Sequence, residues 1–170
     1  MKHLYYVRHG QSRANVERVY AGLLDTPLTD LGVKQAEAAA RQAKHLGIGH
    51  IISSPLSRAH ETAKIIARAI DYPAEEIELS GLLVERNFGS AAGRSWDDTI
   101  DLDSLSDAET MNAVAKRARQ AYEYIRTLPY DTILVVGHGT FWQKFYMTIY
   151  PGTAVTGADE PKNAEMVQLL

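Results

Sequence analysis

Short apolar runs alternate with amphipathic helical segments along this chain, and no other feature restricts the possible folds as strongly. The apolar runs predict buried strands at 4–7, 51–52, 77–79, 133–136 and 166–170. Helical spacing of apolar residues predicts helices that follow Thr29 or Asp30, begin near Ser57, and run through 111–125 and 141–149. Such alternation favours an α/β fold, and we expect a three-layer α/β/α sandwich around a mostly parallel sheet.

Length and composition exclude several classes of protein. A chain of 170 residues suits one compact domain, which we expect to span 1–170. The chain has no cysteine, which excludes disulfides, thiol nucleophiles and cysteine-ligated metals. A net charge of −3 without a basic stripe argues against nucleic acid as a partner. No apolar run reaches membrane-spanning length and no secretion signal is recognisable, so we expect a cytoplasmic protein without a membrane partner.

Two of the predicted strands end in a histidine followed by a glycine. The first strand leads into Arg8-His9-Gly10, and the fourth leads into Gly137-His138-Gly139. If these strands are parallel neighbours, both imidazoles lie side by side at the carboxyl edge, where open α/β sheets bind ligands. No third histidine or carboxylate has metal-ligand spacing nearby, so no metal site is expected.

Arg58 follows the second predicted strand and lies in the first turn of the next helix. A cation at this position opposes the helix dipole, and an anionic ligand at the helix N-terminus would resolve the conflict. Arginine also matches two phosphate oxygens at once. Two arginines and two histidines at one sheet edge therefore indicate a phosphate site.

Five ordered blocks carry a resemblance to a known family. They are LYYVRHGQSRAN (4–15), DTPLTDLG (25–32), SSPLSRAHETA (53–63), Glu85 with Phe88-Gly89, and VGHG (136–139). Together they resemble the histidine phosphatase superfamily, the phosphoglycerate-mutase-like family. The sequence departs from the family pattern after Glu85, where Ala91 and Ala92 replace a usual aromatic residue and acid.

The resemblance implies a role for each matching residue. His9 would attack phosphorus and become a phosphohistidine, while Arg8, Arg58 and His138 would hold the phosphoryl oxygens. Glu85 would protonate the leaving oxygen and then activate water. Further substrate contacts are implied for Ser12, Asn15, Gly22, Gly139 and Thr140. No metal or other cofactor is implied.

The expected activity is a metal-independent phosphoric monoester hydrolase of the histidine acid phosphatase type, with a small phosphorylated metabolite as its partner. A phosphoglycerate mutase is the first alternative, but the insert around 86–106 is short, and a mutase must shield its phosphoenzyme from water. A phosphohistidine-protein phosphatase and a catalytically impaired phosphate-ester-binding protein remain alternatives. The sequence leaves the ester and the oligomeric state open.

Several other conspicuous residues are interpreted as structural. Trp96 and Trp142 are expected to be packing residues, and the acidic stretch 101–104 is expected to be a solvated loop. Surface positions are predicted for Arg13, Arg18, Arg86 and Arg94.

Overall fold

A computed structural model describes residues 1–170 and contains one five-stranded sheet. The strands are β1 (His3–Arg8), β2 (His50–Ser53), β3 (Glu78–Leu79), β4 (Thr132–Gly137) and β5 (Met166–Gln168). Their order across the sheet is β3-β2-β4-β1-β5. The first four are parallel, and β5 pairs antiparallel with β1 at the sheet edge. The predicted, mostly parallel sheet is confirmed.

Helices cover both faces of the sheet, as the sequence predicts. The helices are α1 (Arg13–Glu17), α2 (Asp30–Ala43), α3 (Ser57–Ala69), α4 (Met111–Thr127) and α5 (Gly139–Ile149). Successive residues of β4 point to opposite faces. Leu134 and Val136 pack with α2 and α3, whereas Ile133 and Val135 pack with α4 and α5. The two apolar clusters thus lie on either side of the sheet, and the three-layer α/β/α architecture is confirmed.

The region between β1 and α2 is more ordered than its polar composition predicts. It contains the five-residue helix α1, which begins with a capping box between Ser12 and Asn15. Next to it, the turn after β1 meets the start of α2 backbone to backbone. A side chain on Gly10 would collide with the carbonyl of Gly32, and one on Gly32 would collide with the carbonyl of Gln11. These two glycines let α2 begin directly against the turn that carries His9.

The insert at 86–106 is irregular, as predicted, but it is anchored at both its base and its tip. Arg86 is only 4% exposed and donates to the carbonyls of Glu109 and Leu102 and to the carboxylate of Asp103. The prediction of a surface position for Arg86 is therefore wrong. The side chain is buried beneath the insert, where it donates hydrogen bonds to backbone carbonyls. At the tip, backbone hydrogen bonds join residues 93–96 to residues 18–20.

The remaining arginines and Trp142 lie where the sequence predicts them. Arg13, Arg18 and Arg94 are exposed and each pairs with a nearby carboxylate. Trp142 is buried at 6% exposure, in agreement with its predicted packing role. No helix combines the length and the apolar character needed to cross a bilayer.

The contact between Gly10 and Gly32 gives a test of the fold. We expect Gly32→Ala to lower the free energy of unfolding by about 1–3 kcal/mol, because the added methyl group meets backbone that can yield only by moving α2. Gly81→Ala is the matched control, since a side chain there meets open space, and a change within about 0.5 kcal/mol is expected. Urea denaturation measures both variants, and equal losses would contradict the close approach.

Candidate active site

The predicted site residues converge at the carboxyl edge of the sheet, around a cavity of about 310 Å³. β1 and β4 are adjacent and parallel, with Arg8 opposite Gly137, so His9 and His138 follow paired positions. Their ring centroids are 5.2 Å apart. Eight predicted residues line the cavity: Arg8, His9, Ser12, Asn15, Gly22, Arg58, Glu85 and Thr140. His138 and Gly139 lie just behind this lining.

The surroundings of His9 favour a neutral imidazole ring. Its side chain is buried, and Nδ1 lies 2.7 Å from the carbonyl oxygen of Gly10. A carbonyl only accepts, so this contact assigns the ring proton to Nδ1 and leaves a lone pair on Nε2. Burial lowers the pKa of His9 well below its ordinary value, and the charges of Arg58 and Arg8 lower it further.

His138 is held rigidly behind His9. The buried hydroxyl of Tyr6 accepts from the backbone N–H of His138 at 2.8 Å and donates to its carbonyl at 2.9 Å. The ring Nε2 lies 2.8 Å from the hydroxyl oxygen of Ser54, and the buried Nδ1 has no partner. Burial, followed by the charge of Arg58, lowers the pKa of His138 well below its ordinary value. The unpartnered Nδ1 is thus the ring atom left for a further contact.

Arg58 is almost completely buried at the start of α3. Its guanidinium donates to the carbonyls of Leu24 at 2.9 Å and Gly22 at 2.8 Å, which fixes the loop that forms one wall of the cavity. The N-terminus of α3, which the sequence predicts to bind an anionic ligand, is already occupied by a protein side chain. The carboxylate of Asp25 accepts from the N–H of Ser57, and this bonding lowers the pKa of Asp25. The dipole conflict predicted for Arg58 is therefore relieved by a protein carboxylate.

Glu85 lies at the N-terminus of α5 and shares the cavity lining with Arg8 and Arg58. Its carboxylate accepts from the backbone N–H groups of Arg86, Thr140 and Phe141 at 2.8–3.2 Å. Thr140 is predicted to bind substrate, and its backbone N–H is already bound to Glu85. The Arg117 guanidinium donates to the carbonyls of Leu82, Val84 and Glu85. Because both the carboxylate and the preceding backbone are held, Glu85 is fixed in position.

Ser12 and Asn15 contribute differently from what the sequence predicts. The hydroxyl and N–H of Ser12 both donate to Oδ1 of Asn15, so the Ser12 side chain is committed to the protein. Asn163 donates to Oδ1 of Asn15 at 3.3 Å and to the carbonyl of His9 at 3.1 Å. The Nδ2 group of Asn15 makes no bond to protein and is the donor left for a ligand. Sequence reasoning missed Asn163, which lies in an irregular segment without a periodic signal.

Glu160 is a second missed residue, and it lies inside the cavity. Its Oε2 is 3.3 Å from Nη1 of Arg8, which also donates to the carbonyl of Pro161 at 3.0 Å. Its Oε1 accepts from the side-chain amide of Gln143 at 2.6 Å. Burial raises the pKa of Glu160, opposed by the charge of Arg8. No spacing in the sequence links this carboxylate to Arg8, since 152 positions separate them.

The outer part of the cavity is apolar. Val19, Tyr20, Phe88 and Trp96 form this wall, with the rings of Tyr20 and Phe88 centred 5.2 Å apart. Trp96 is 38% exposed and lines the cavity, so its interpretation as a packing residue is wrong. It belongs to the insert that pairs with residues 18–20, which explains its place beside Val19 and Tyr20.

The cavity therefore combines a buried histidine with two arginines at the carboxyl edge of a three-layer α/β fold. A sequence profile of the histidine phosphatase superfamily (branch 1) matches residues 4–163. The match covers most of the chain, and the chain belongs to this superfamily.

Individual relatives fall on both the mutase and the phosphatase side. The chain is 38% identical to the "Probable phosphoglycerate mutase GpmB" of Escherichia coli O1:K1 / APEC, over 82% of this chain and 70% of that protein. It superposes on a mycobacterial glucosyl-3-phosphoglycerate phosphatase with a TM-score of 0.83 and 25% identity, covering 99% of this chain and 92% of the other. YhfR of Bacillus stearothermophilus gives a TM-score of 0.88 at 24% identity, covering 99% and 90%, which shows the shared fold.

Removal of the Tyr6 hydroxyl tests how firmly His138 is held. We expect Tyr6→Phe to lower the free energy of unfolding by about 1–3 kcal/mol, since it leaves the buried N–H of His138 without a partner and removes one of the two hydrogen bonds to the carbonyl of His138, the other coming from the N–H of Trp142. Tyr5→Phe is the control, because that hydroxyl makes only one exposed contact of 3.4 Å. Denaturant titration measures both variants. Equal stability of the two would show that the Tyr6 bonds contribute nothing.

The two buried histidines also predict a pH dependence. The pKa of His9 and of His138 is lowered on folding, so the unfolded chain takes up protons that the folded chain does not. The contribution of these two histidines to the free energy of unfolding should therefore be complete above about pH 6.5. It should decrease as the pH falls below that value. Histidine NMR signals recorded above and below this pH should show both rings protonating at lower pH in the folded protein than in the unfolded chain. The urea-unfolded chain is the control, and titration of either ring near 6.5 in the folded protein would contradict the prediction.

Proposed function

We propose that this protein is a phosphatase that hydrolyses small phosphomonoesters through a phosphohistidine on His9, without a metal. The observation that carries the proposal is the state of His9, a buried and neutral ring whose Nδ1–H is tied to Gly10 and whose Nε2 keeps its lone pair. Membership in the histidine phosphatase superfamily supports phosphatase or phosphotransferase chemistry.

In the first step, Nε2 of His9 would form a bond to phosphorus while the ester P–O bond breaks. Arg8 and Arg58 would bind the equatorial phosphoryl oxygens, where negative charge must be stabilised during transfer. The Nδ2 group of Asn15 would be a further donor, and the buried Nδ1 of His138, which has no protein partner, would be another. Glu85, which would take up a proton together with the bound phosphate dianion, would deliver that proton to the leaving oxygen, so that the product leaves as an alcohol.

In the second step, Glu85 would take a proton from water as the water oxygen attacks the phosphohistidine. The P–N bond breaks, its electron pair returns to Nε2, and inorganic phosphate is released. Glu85 regains its proton and His9 its neutral ring, so the cycle closes. Division of one displacement into two easier ones is the advantage of a covalent intermediate.

A phosphoglycerate mutase is the second candidate, favoured by the 38% identity to GpmB. The short insert favours hydrolysis instead, because a mutase must keep water from its phosphoenzyme. An assay with 3-phosphoglycerate separates the two, since a mutase gives an isomer and a phosphatase gives free phosphate. Ligand binding without turnover would indicate a phosphate-ester-binding protein, and dephosphorylation of phosphohistidine peptides alone would indicate a protein phosphatase.

The covalent intermediate is directly testable. With an aryl phosphate and a metal chelator present, we expect wild-type turnover, no turnover in His9→Ala, and turnover reduced about 10²–10⁴-fold in Glu85→Gln. Alkaline quench of Glu85→Gln should trap an acid-labile phosphoryl group on His9 if water attack becomes rate-limiting.

His45→Ala is the matched control, because this histidine is exposed and does not line the cavity. It should keep wild-type turnover. A phosphoryl group found on serine, or turnover that survives in His9→Ala, would contradict the assignment of His9. Turnover lost on chelation would contradict the metal-free chemistry.

A further inference from the structure

Glu160 brings a second carboxylate to a site built for an anion. Its side chain is only 15% exposed and is held from two sides, by Arg8 and by Gln143. It also lies directly against the start of α5, where a side chain on Gly139 would collide with its carboxylate. Glu160 therefore has a fixed position on the cavity wall, next to the arginine proposed to bind phosphate.

The charged residues of the cavity wall are balanced before any ligand enters. Arg8 and Arg58 are the cationic side chains of the wall, and Glu85 and Glu160 are the anionic ones. A phosphoryl group would use both arginines. No cation of the wall would then remain for a second anionic group on the same ligand, whereas Glu160 would still face it.

Four further arginines lie close in sequence to residues of the cavity wall, and each is paired with a carboxylate: Arg13 with Glu17 at 3.9 Å, and the other three with aspartates of the insert. These ion pairs join Arg18 to Asp97 at 2.9 Å, Arg86 to Asp103 at 2.7 Å and Arg94 to Asp98 at 3.1 Å. The guanidinium of Arg18 also lies over the ring of Trp96. The remaining outer wall is the apolar surface of Val19, Tyr20, Phe88 and Trp96.

We infer that Glu160 determines specificity, by selecting phosphomonoesters whose alcohol portion is neutral or cationic and rejecting those that carry a carboxylate. This inference rests on the proposed function, because it names the class of ester that the same site accepts. The physical reason is like-charge repulsion in a partly buried site, where water screens weakly. An apolar outer wall without a free cation offers a carboxylate no compensating positive charge.

Three esters with the same two-carbon skeleton test the inference: 2-hydroxyethyl phosphate, 2-aminoethyl phosphate and phosphoglycolate. Their binding to the His9→Ala protein is measured by calorimetry at about pH 8, so that no ester is turned over and carboxylates are ionised. We expect phosphoglycolate to bind about tenfold more weakly than the neutral ester. When Glu160→Gln is added to His9→Ala, the ratio of the dissociation constants of phosphoglycolate and the neutral ester should fall close to one. The ratio is the readout because loss of the Arg8 partner alters phosphate binding equally for all three esters.

Two further variants separate charge from packing. Glu160→Asp keeps the negative charge, so this variant should still bind the neutral ester more tightly than phosphoglycolate. Glu75→Gln removes a carboxylate from an exposed turn outside the cavity and should leave the ratio unchanged. The inference is overturned if the His9→Ala protein binds phosphoglycolate as tightly as the neutral ester, or if the preference survives Glu160→Gln. It is also overturned if Glu160→Asp loses the preference, since shape rather than charge would then be responsible.

Failure of the proposed function has a different signature. If wild-type protein releases no phosphate from any of the three esters or from an aryl phosphate, the phosphatase proposal fails. The binding ratio of the His9→Ala protein still reports on Glu160 in that case. Efficient hydrolysis of all three esters with equal kcat/KM would support the phosphatase and overturn the role of Glu160.

Discussion

The pairing between β1 and β4 is the constraint on which the site depends. The parallel register places Arg8 opposite Gly137, and one further hydrogen bond joins the N–H of His9 to the carbonyl of Gly137. A shift of one residue would turn each side chain of β1 to the other face of the sheet. Tyr6 reinforces this register from within the sheet, because its hydroxyl binds both backbone groups of His138. The register between β1 and β4 therefore places the two histidines side by side.

Burial and charge act together on the groups that the register brings together. Removal from water makes protonation of both rings unfavourable, and two arginines add to the effect. The same low-dielectric surroundings strengthen the attraction of those arginines for phosphate. Asp25, Glu85 and Glu160 offset the cationic charge in the absence of a ligand. The site thus combines neutral histidines with two cationic side chains that can attract an anion, a combination that bulk water would not favour.

The sequence predicted those parts of the site that come directly from regular elements. Arg8, His9 and His138 end strands, and Arg58 starts a helix, so strand and helix patterns place them at one edge. Glu85 was found only by resemblance, since its place depends on Arg117 and on the N-terminus of α5. Glu160, Asn163 and the apolar wall could not be predicted, because irregular segments carry no period from which side-chain direction follows. Helix α1 was missed for a related reason, since five residues are too few to show a helical repeat.

The bond from Asn163 to the carbonyl of His9 joins two positions 154 residues apart. Contacts of such long range close late in folding, because the entropy of the intervening loop opposes them until most of the sheet exists. During folding, the turn that carries His9 would therefore receive its last support only after the segment before β5 docks on β1. A partly folded chain could hold the sheet and both histidines and still lack an ordered site. Recovery of enzymatic activity would then be a stricter measure of complete folding than recovery of secondary structure.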